Sequence, residues 1–354
     1  GSALYGEKDF ANIKMFDDVI EASGLGNFLH TELEKALAGK IAGASMSLGT
    51  NRVHVNGSST PKDVETMLQL VYLYFTNIAK DQKSYDNLIQ TTEVQLKNRL
   101  LQPESVLQDS LTATLTNHNP RNKALKTEDL AQVGYDRILE MAKEQTANAA
   151  AFTFTIIGNY DEEAIRPLIE TYLASLPAQK KVVKGPKVST NFKGIVVNNF
   201  KHKGETPKAY AVMEWYSKDI PMTAENDIKI DMIGQILSME YLKKIREDAS
   251  AAYTVQAMAS VDRDDFETTA QVFAVCPMKP EKADTAIMIL RDEATSLAKT
   301  CDAEKLQKAK EYMLKEHGDQ VKQNSYWLSI MNGWRKYGID FHSNYEKLVN
   351  AQTP

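Results

Sequence analysis

Paired histidines, cysteine clusters and long apolar runs are all missing from this sequence, and each absence removes a class of function. The six histidines, His30, His54, His118, His202, His317 and His342, are so dispersed that none has another within five positions. H-E-x-x-H, H-x-x-E-H and Cys/His zinc spacings are therefore absent, and no ligand set for a metal is legible in the chain. Cys276 and Cys301, the only cysteines, make neither a disulfide framework nor a zinc knuckle. Cys276 falls on an alternating strand pattern, where it reads as a small buried hydrophobe. No apolar run approaches the roughly 18 residues that a membrane-spanning helix needs. No G-x-S-x-G elbow presents an activated serine, and no phosphate-cradling glycine loop follows a strand, so serine-hydrolase and nucleotide-binding readings have no support. Positive charge is not in excess either. The net charge of -5 gives no electrostatic footprint for nucleic acid. The one basic cluster, Lys180, Lys181, Lys184 and Lys187, sits in a Pro/Gly-containing stretch and reads as a solvated linker.

What remains is a globular composition, 43% hydrophobic and 25% charged, over 354 residues, a length that predicts two domains. Gly1 and Ser2 read as a cloning scar, which leaves any targeting signal of the parent gene out of view. The stretch "GASMSLGTNRVHVNG" alternates Met46/Leu48 with Val53/Val55 around a Gly-Thr-Asn turn and predicts a β-hairpin. A helix follows, with Thr60 as N-cap, Pro61 at the first helical position and Asp63 as the acidic member of a capping box. Val64, Met67, Leu68, Val71, Tyr72 and Phe75 give it one apolar face. Further on, Phe152, Phe154 and Ile156 predict a strand, and Asp161 starts another helix.

The second half repeats this order. "AAYTVQAMASVDRDDFETTAQVFAVC" alternates from Tyr253, turns at Asp262 to Asp265 and returns to Cys276; a helix then starts near Pro280, with Ala283, Ile287 and Leu290 on one face. "ELEKALAGKIAGASM" aligns on "YLKKIREDASAAYTV", placing Leu33 on Leu242 and Lys35 on Lys244, both 209 positions apart. A long-period repeat of this kind implies two copies of one α+β domain, each an antiparallel sheet with helices on one face. The expected boundaries are 1–185 and 186–354, joined near residues 178 to 192.

The two copies differ at one informative place. Leu37 stands where the second copy has Arg246, and Ala44 where it has Tyr253. A pair present in one copy is not demanded by the shared fold, which points to function. Arg246 is a permanent cation with five donors, and Tyr253 a phenol able to donate to a carbonyl or oxyanion. The alternative is structural: Arg246 paired with Glu247 or Asp248, and Tyr253 lying on a sheet face.

The ordered segments "SGLGNFLHTELEKALAGKIA", "NGSSTPKDVETMLQLVYLYFTN", "FTFTIIGNYDEEAIRPLIETYLASLP", "LKKIREDASAAYTV" and "NSYWLSIMNGWRKYG" resemble the C-terminal half of a pitrilysin/insulinase-type zinc metallopeptidase of the bacterial PqqL-like branch. The resemblance implies the third and fourth of four LuxS/metallohydrolase-like α+β domains, arranged as two halves that close like a clamshell. It places H-x-x-E-H and the zinc in the first domain, outside this chain, so that the segment alone is expected to be inactive and to bind no cofactor of its own. It implies that Arg246 and Tyr253 reach the scissile carbonyl as donors. The partners it implies are the zinc-bearing N-terminal half and peptide or small-protein substrates, with no nucleic acid and no membrane span, in a bacterial periplasm or cell envelope. An inactive peptide-binding or structural subunit on the same fold is the alternative. Where the family pattern reads roughly "LREDLGGTYGV", this chain has "IREDASAAYTV", with serine and alanine replacing the paired glycines. The second copy stops at "NAQTP", where the first continues into a helix and strand, which leads one to expect a shortened fourth domain with an exposed sheet edge.

Overall fold

A computed structural model describes residues 1–179, 182–204 and 207–354, which form two units: Gly1–Phe154 with Asn159–Gly204, and Thr155–Gly158 with Glu205–Pro354. Both combine helices with small antiparallel sheets, the α+β class predicted by the patterning.

In the first unit, α1 (Phe10–Glu21) buries Phe16, Val19 and Ile20, and leads through β1 (Gly24–Leu25) into the short α2 (His30–Ala36). The expected hairpin follows. β2 (Ala42–Leu48) pairs antiparallel with β3 (Val53–Ser59), Met46 opposite Val55 and Leu48 opposite Val53. Two-residue alternation turns these four side chains to one face, where α1 and α3 (Val64–Thr76) cover them.

Thr60 is extended ahead of a 3-10 turn over Pro61–Asp63, as its sequence predicts, but the cap is not the reciprocal box. Asp63 Oδ2 accepts from the Thr60 hydroxyl and from the Ile41 N–H at 2.9 Å, while the Thr60 N–H donates to the Ile41 carbonyl. The carboxylate therefore ties the helix start to the entry of β2. Nor is α3 apolar on one face alone. Leu70 and Tyr74 enter the hairpin core, and Phe75 meets the rings of Phe152, at 4.7 Å between centroids, and Phe154. This overturns the strand expected over residues 152–156. Among the described residues, 152–157 joins no sheet, and α3 takes up its rings instead.

β4 (Ile78–Ala79) pairs with β1, after which α4 (Gln82–Arg99) and α5 (Pro103–Leu115) are joined by both guanidinium nitrogens of Arg99 gripping Asp109. α6 (Tyr135–Thr146) packs fully buried Ile138, Met141 and Ala142 toward α1. α7 (Glu162–Ile169) is capped by Asp161, whose Oδ1 accepts from the Ala164 N–H at 2.8 Å. Pro167 removes a donor within α7, and the helix then widens into a π turn over Glu170–Ala174. Past the basic stretch the chain is held against the first unit. The Asn119 amide donates to the Val188 carbonyl, the Phe192 N–H to the Leu115 carbonyl, and the Asn198 amide to the hydroxyls of Ser110 and Thr114. Lys184 and Lys187 are exposed, and Lys180 and Lys181 lie outside the described residues.

In the second unit β5 (Ala209–Ser217) is followed by α8 (Ala224–Tyr241), β6 (Gln256–Arg263) and β7 (Thr268–Met278), with the sheet ordered β5-β7-β6. The β6–β7 reversal falls two residues later than expected, because Asp264 Oδ1 accepts from the N–H groups of Phe266 and Glu267, each at 2.7 Å. α8 lies against β6. The Ser238 hydroxyl both donates to the Ala257 carbonyl and accepts from its N–H, and a Cβ on Gly234 would stand 3.0 Å from the Ala259 nitrogen.

A 3-10 turn at Pro280–Lys282 starts α9 (Ala283–Leu297), which buries Ala286 and Leu290 but leaves Ile287 exposed. Leu290 is buried and Ala283 partly so, as expected, while Ala286 takes the place expected of Ile287. α10 (Ala303–Gln320) and α12 (Tyr345–Ala351) pack on α8, with α11 (Asn324–Tyr337) between them in sequence, closed by Gly338 at φ 71°. Hairpin, proline-led 3-10 turn and helix recur in order in both units. The preceding helices differ, seven residues in α2 against 18 in α8.

One ion pair in the first unit is largely withdrawn from water. Asp9 is 4% exposed and lies 3.1 Å from Arg137 Nε. Burial pushes its carboxyl up, but hydrogen bonds and charge from Arg137, with the Asn12 amide, bring it below the usual carboxylate range. A depressed folded-state pKa contributes stability above the unfolded value, about 4, and loses it as pH falls through the folded value. Asp9→Asn should therefore lower the urea midpoint at neutral pH, by the equivalent of about 1–3 kcal/mol, with the gap to wild type closing in acid. In a second pair of variants, Gly234→Ala should lower the melting temperature through overpacking worth about 1–3 kcal/mol. Gly318→Ala, in an exposed turn of α10 where a Cβ meets nothing, should raise it by about 0.5–1 kcal/mol. Equal effects at the two glycines would contradict the close α8–β6 contact.

Candidate functional site

The segment that carries Arg246 and Tyr253 is the exit of α8. The helix does not stop at Tyr241 but widens into a π turn, Leu242–Asp248, that keeps Ile245 fully buried and sets Arg246 beside it on the exposed side. Two anchors hold this turn. Tyr241 is fully buried and donates its hydroxyl to the Leu290 carbonyl of α9 at 2.8 Å. Lys244 bridges Glu240 and Glu293, at 3.8 and 2.7 Å, while Lys305 of α10 pairs with the same buried Glu240. The hydrogen bond that Lys305 donates to Glu240 raises the lysine's pKa, in keeping with a closely held pair.

The chain then reverses at Ser250, which sits at φ 49°, a left-handed conformation that serine seldom adopts. The Ala251 N–H returns to the Ile245 carbonyl and the Lys279 N–H donates to the Ala251 carbonyl. This is a Schellman-like termination, wider because the last turn is π rather than α. Ala251, Ala252 and Val255 are buried, and Tyr253 between them is 84% exposed. It precedes β6 and does not lie on the sheet, contrary to its place in the alternating pattern. The family's glycine at the position of Ser250 acquires a physical reason: the turn needs positive φ.

Arg246 Cζ stands 5.7 Å from the centroid of the Tyr253 ring. The structure thus brings together the two residues singled out from the sequence. Neither half of the structural alternative is seen: among the described residues Arg246 forms no ion pair with Glu247 or Asp248, and Tyr253 covers no sheet. An exposed cation–π contact is worth about 0.5–1 kcal/mol, enough to bias the two side chains toward one another without locking them. Chemically the pair consists of donors. It can polarise or neutralise an oxygen, but holds no nucleophile and no base.

Of the six histidines, His317 and His342 approach each other, with 5.8 Å between ring centroids. His317 is buried and stacks on Tyr345, and His342 Nδ1 is 2.7 Å from the Tyr326 hydroxyl. Among the described residues no group of three His, Cys, Asp or Glu could hold a metal ion, so these residues do not fit a zinc site. Cys276 is buried on β7, and burial pushes its thiol up to about 11, consistent with packing and not reactivity. No helix among the described residues is long and apolar enough to cross a membrane. Sequence reading missed the supporting residues Tyr241, Ile245 and Ser250; the glycine displaced at position 250 was the available signal.

The family model for the peptidase M16 inactive domain matches residues 134–313, and the chain belongs to this family. It is 22% identical over 281 residues to the probable zinc protease PqqL of Escherichia coli strain K12, covering 79% of this chain and 30% of that protein. The crystal structure of the periplasmic protease PqqL from Escherichia coli superposes with a TM-score of 0.82 at 21% identity, covering all of this chain and 39% of that one. The ferredoxin protease FusC, solved as a mutant in complex with Arabidopsis ferredoxin, matches with a TM-score of 0.71 at 14% identity over 96% of this chain and 37% of its own. The chain therefore spans about a third of the length of these relatives.

The left-handed serine generates a prediction. Ser250→Gly should raise the melting temperature, by up to about 1 kcal/mol, because the left-handed strain removed exceeds the added chain entropy. A fall in melting temperature would mean that the turn does not populate positive φ.

Proposed function

We propose that this chain is the half of a clamshell zinc metallopeptidase that does not bind zinc, holding an extended peptide or small protein and supplying Arg246 and Tyr253 as donors to the scissile carbonyl. The observation that carries the reading is the convergence of those two exposed side chains on one π-turn exit, in the segment matching the family's donor segment. Residues 1–185 and 186–354 serve as the third and fourth domains of the parent. The zinc and general base come from its N-terminal half, the principal partner, and the likeness to a periplasmic protease supports an envelope location. The ferredoxin captured by FusC supports small proteins as a substrate class. The description of the matching family model as an inactive domain favours a second reading, a subunit that only binds or builds.

Within the first reading each donor acts on charge that develops in the transition state, where the loss of one donor costs about 3 kcal/mol, or two to three powers of ten in kcat. In the complete protein, Arg246→Ala and Tyr253→Phe should each lower kcat/KM on a quenched peptide library about 100-fold. Melting temperature should barely move, since Tyr253 is 84% exposed. Zinc analysis of the complete protein beside this chain separates the two readings. A zinc-bearing, active parent with an inert, zinc-free segment supports the half-enzyme; a zinc-free, inactive parent supports the binding subunit. Parallel losses of activity and stability in the two variants would mark Arg246 and Tyr253 as structural.

A further inference from the structure

The second unit contains a cavity of about 350 Å³ between α8, α10, α11 and α12 that neither reading uses. Its walls combine aromatic rings, Tyr312, Tyr326, Phe341 and Tyr345, with the carboxylates of Asp227, Asp231 and Glu316. No lysine or arginine is among its lining residues. We propose that this cavity binds an organic cation, a guanidinium or ammonium group carried on a flexible aliphatic chain.

Three observations support the assignment. The aromatic walls are preorganised. Tyr345 stacks on buried His317 with 4.1 Å between centroids, and Tyr326 meets the same ring in a T-shaped contact while its hydroxyl lies 2.7 Å from His342 Nδ1. Rings held this way need little further ordering to meet a cation.

The carboxylates, in turn, lack compensation. Asp227 and Asp231 lie one turn apart on α8, half-buried beside Ile228 and Met232, which pack against α10 and α12. Like charges at that spacing destabilise a helix. Among the described residues no lysine or arginine pairs with Asp227, Asp231 or Glu316, and only the Gln235 amide assists Asp231. Burial, and then the charge of Asp231, pushes the Asp227 carboxyl up to about 6. Burial also raises Asp231, while Tyr345 is raised by burial and by both aspartates.

Finally, the size is suitable. About 350 Å³ accommodates an arginine or lysine side chain, and sits at the small end of ligand cavities, about 300–1,000 Å³. Uncompensated acids on a packed helix face oppose folding, and features that oppose folding mark functional positions. The inference rests on the second unit alone and stands apart from the peptidase reading.

The test is a titration of the full chain carrying labelled tyrosines, followed by NMR. Agmatine supplies a guanidinium, butylurea a neutral near-isostere, and acetyl-Gly-Arg-Gly-amide the same cation on a polypeptide. Agmatine is expected to shift the resonances of Tyr312, Tyr326 and Tyr345 to saturation, with butylurea leaving them unmoved. Asp227→Asn, Asp231→Asn and the more accessible Glu316→Gln should each weaken the binding about tenfold. Saturation by the peptide as well assigns the site to a polypeptide side chain; saturation by agmatine alone assigns it to a free small amine. An absence of saturable shifts with both cations in the wild-type chain overturns the proposal, as does equal binding of butylurea.

Discussion

The geometry at the exit of α8 depends on two side chains that never see water. Tyr241 and Ile245 are both fully buried, and they are four residues apart across the point where α becomes π. In a π turn each residue advances the helix by less rotation than in an α turn, so this spacing no longer determines which neighbours face outward. The burial of Ile245 and the tether from the Tyr241 hydroxyl to the Leu290 carbonyl determine it instead, and together they leave Arg246 on the surface. Replacing either anchor would move the guanidinium without touching it. That dependence distinguishes a positioned surface arginine from the many that are merely solvated.

Ser250 completes the arrangement. A chain that left the π turn in extended conformation would carry Tyr253 away from Arg246; the left-handed residue folds it back, and Ala251 is then held from both sides by Ile245 and Lys279. Alanine at positions 251 and 252 fits this return because both are buried under it. The departure from the family's paired glycines therefore has unequal consequences. At position 251 a methyl group is absorbed by packing, whereas at 250 the side chain meets backbone strain that glycine would not have.

Much of this was legible in the residues, and the parts that were not share a cause. The hairpin over Met46–Val55, the proline-led helices and the isolation of Arg246 and Tyr253 in one copy all follow from local pattern. Local pattern failed where a tertiary neighbour altered the outcome. The rings of Phe152 and Phe154 alternate as a strand does but were captured by Phe75. Ile287 has the spacing of a core residue, but α9 is rolled so that Ala286 meets the sheet. Tyr253 has the period of β6 but precedes it, because the Schellman-like return occupies the residues that would have paired. Asp227 and Asp231 carry no local signal at all, because the aromatic rings that face them come from α10, α11 and α12.

The chemistry of the two acidic regions of the second unit separates what serves the fold from what does not. Glu240 is buried, yet Lys305 and Lys244 both approach it, and the network ties α8 to α10 and, through Glu293, to α9. Its charge is neutralised where it stands. Asp227 and Asp231, roughly two and a half to three and a half turns earlier on the same helix, receive one amide between them and, among the described residues, no cation. Both regions lie on α8 and are packed in part by α10, yet only one is supplied with lysines. A carboxylate opposed by lysines is explained by the packing it joins. Two carboxylates left facing aromatic rings and an open volume are not neutralised by the side chains packed around them, and that difference is the ground for assigning them a cation.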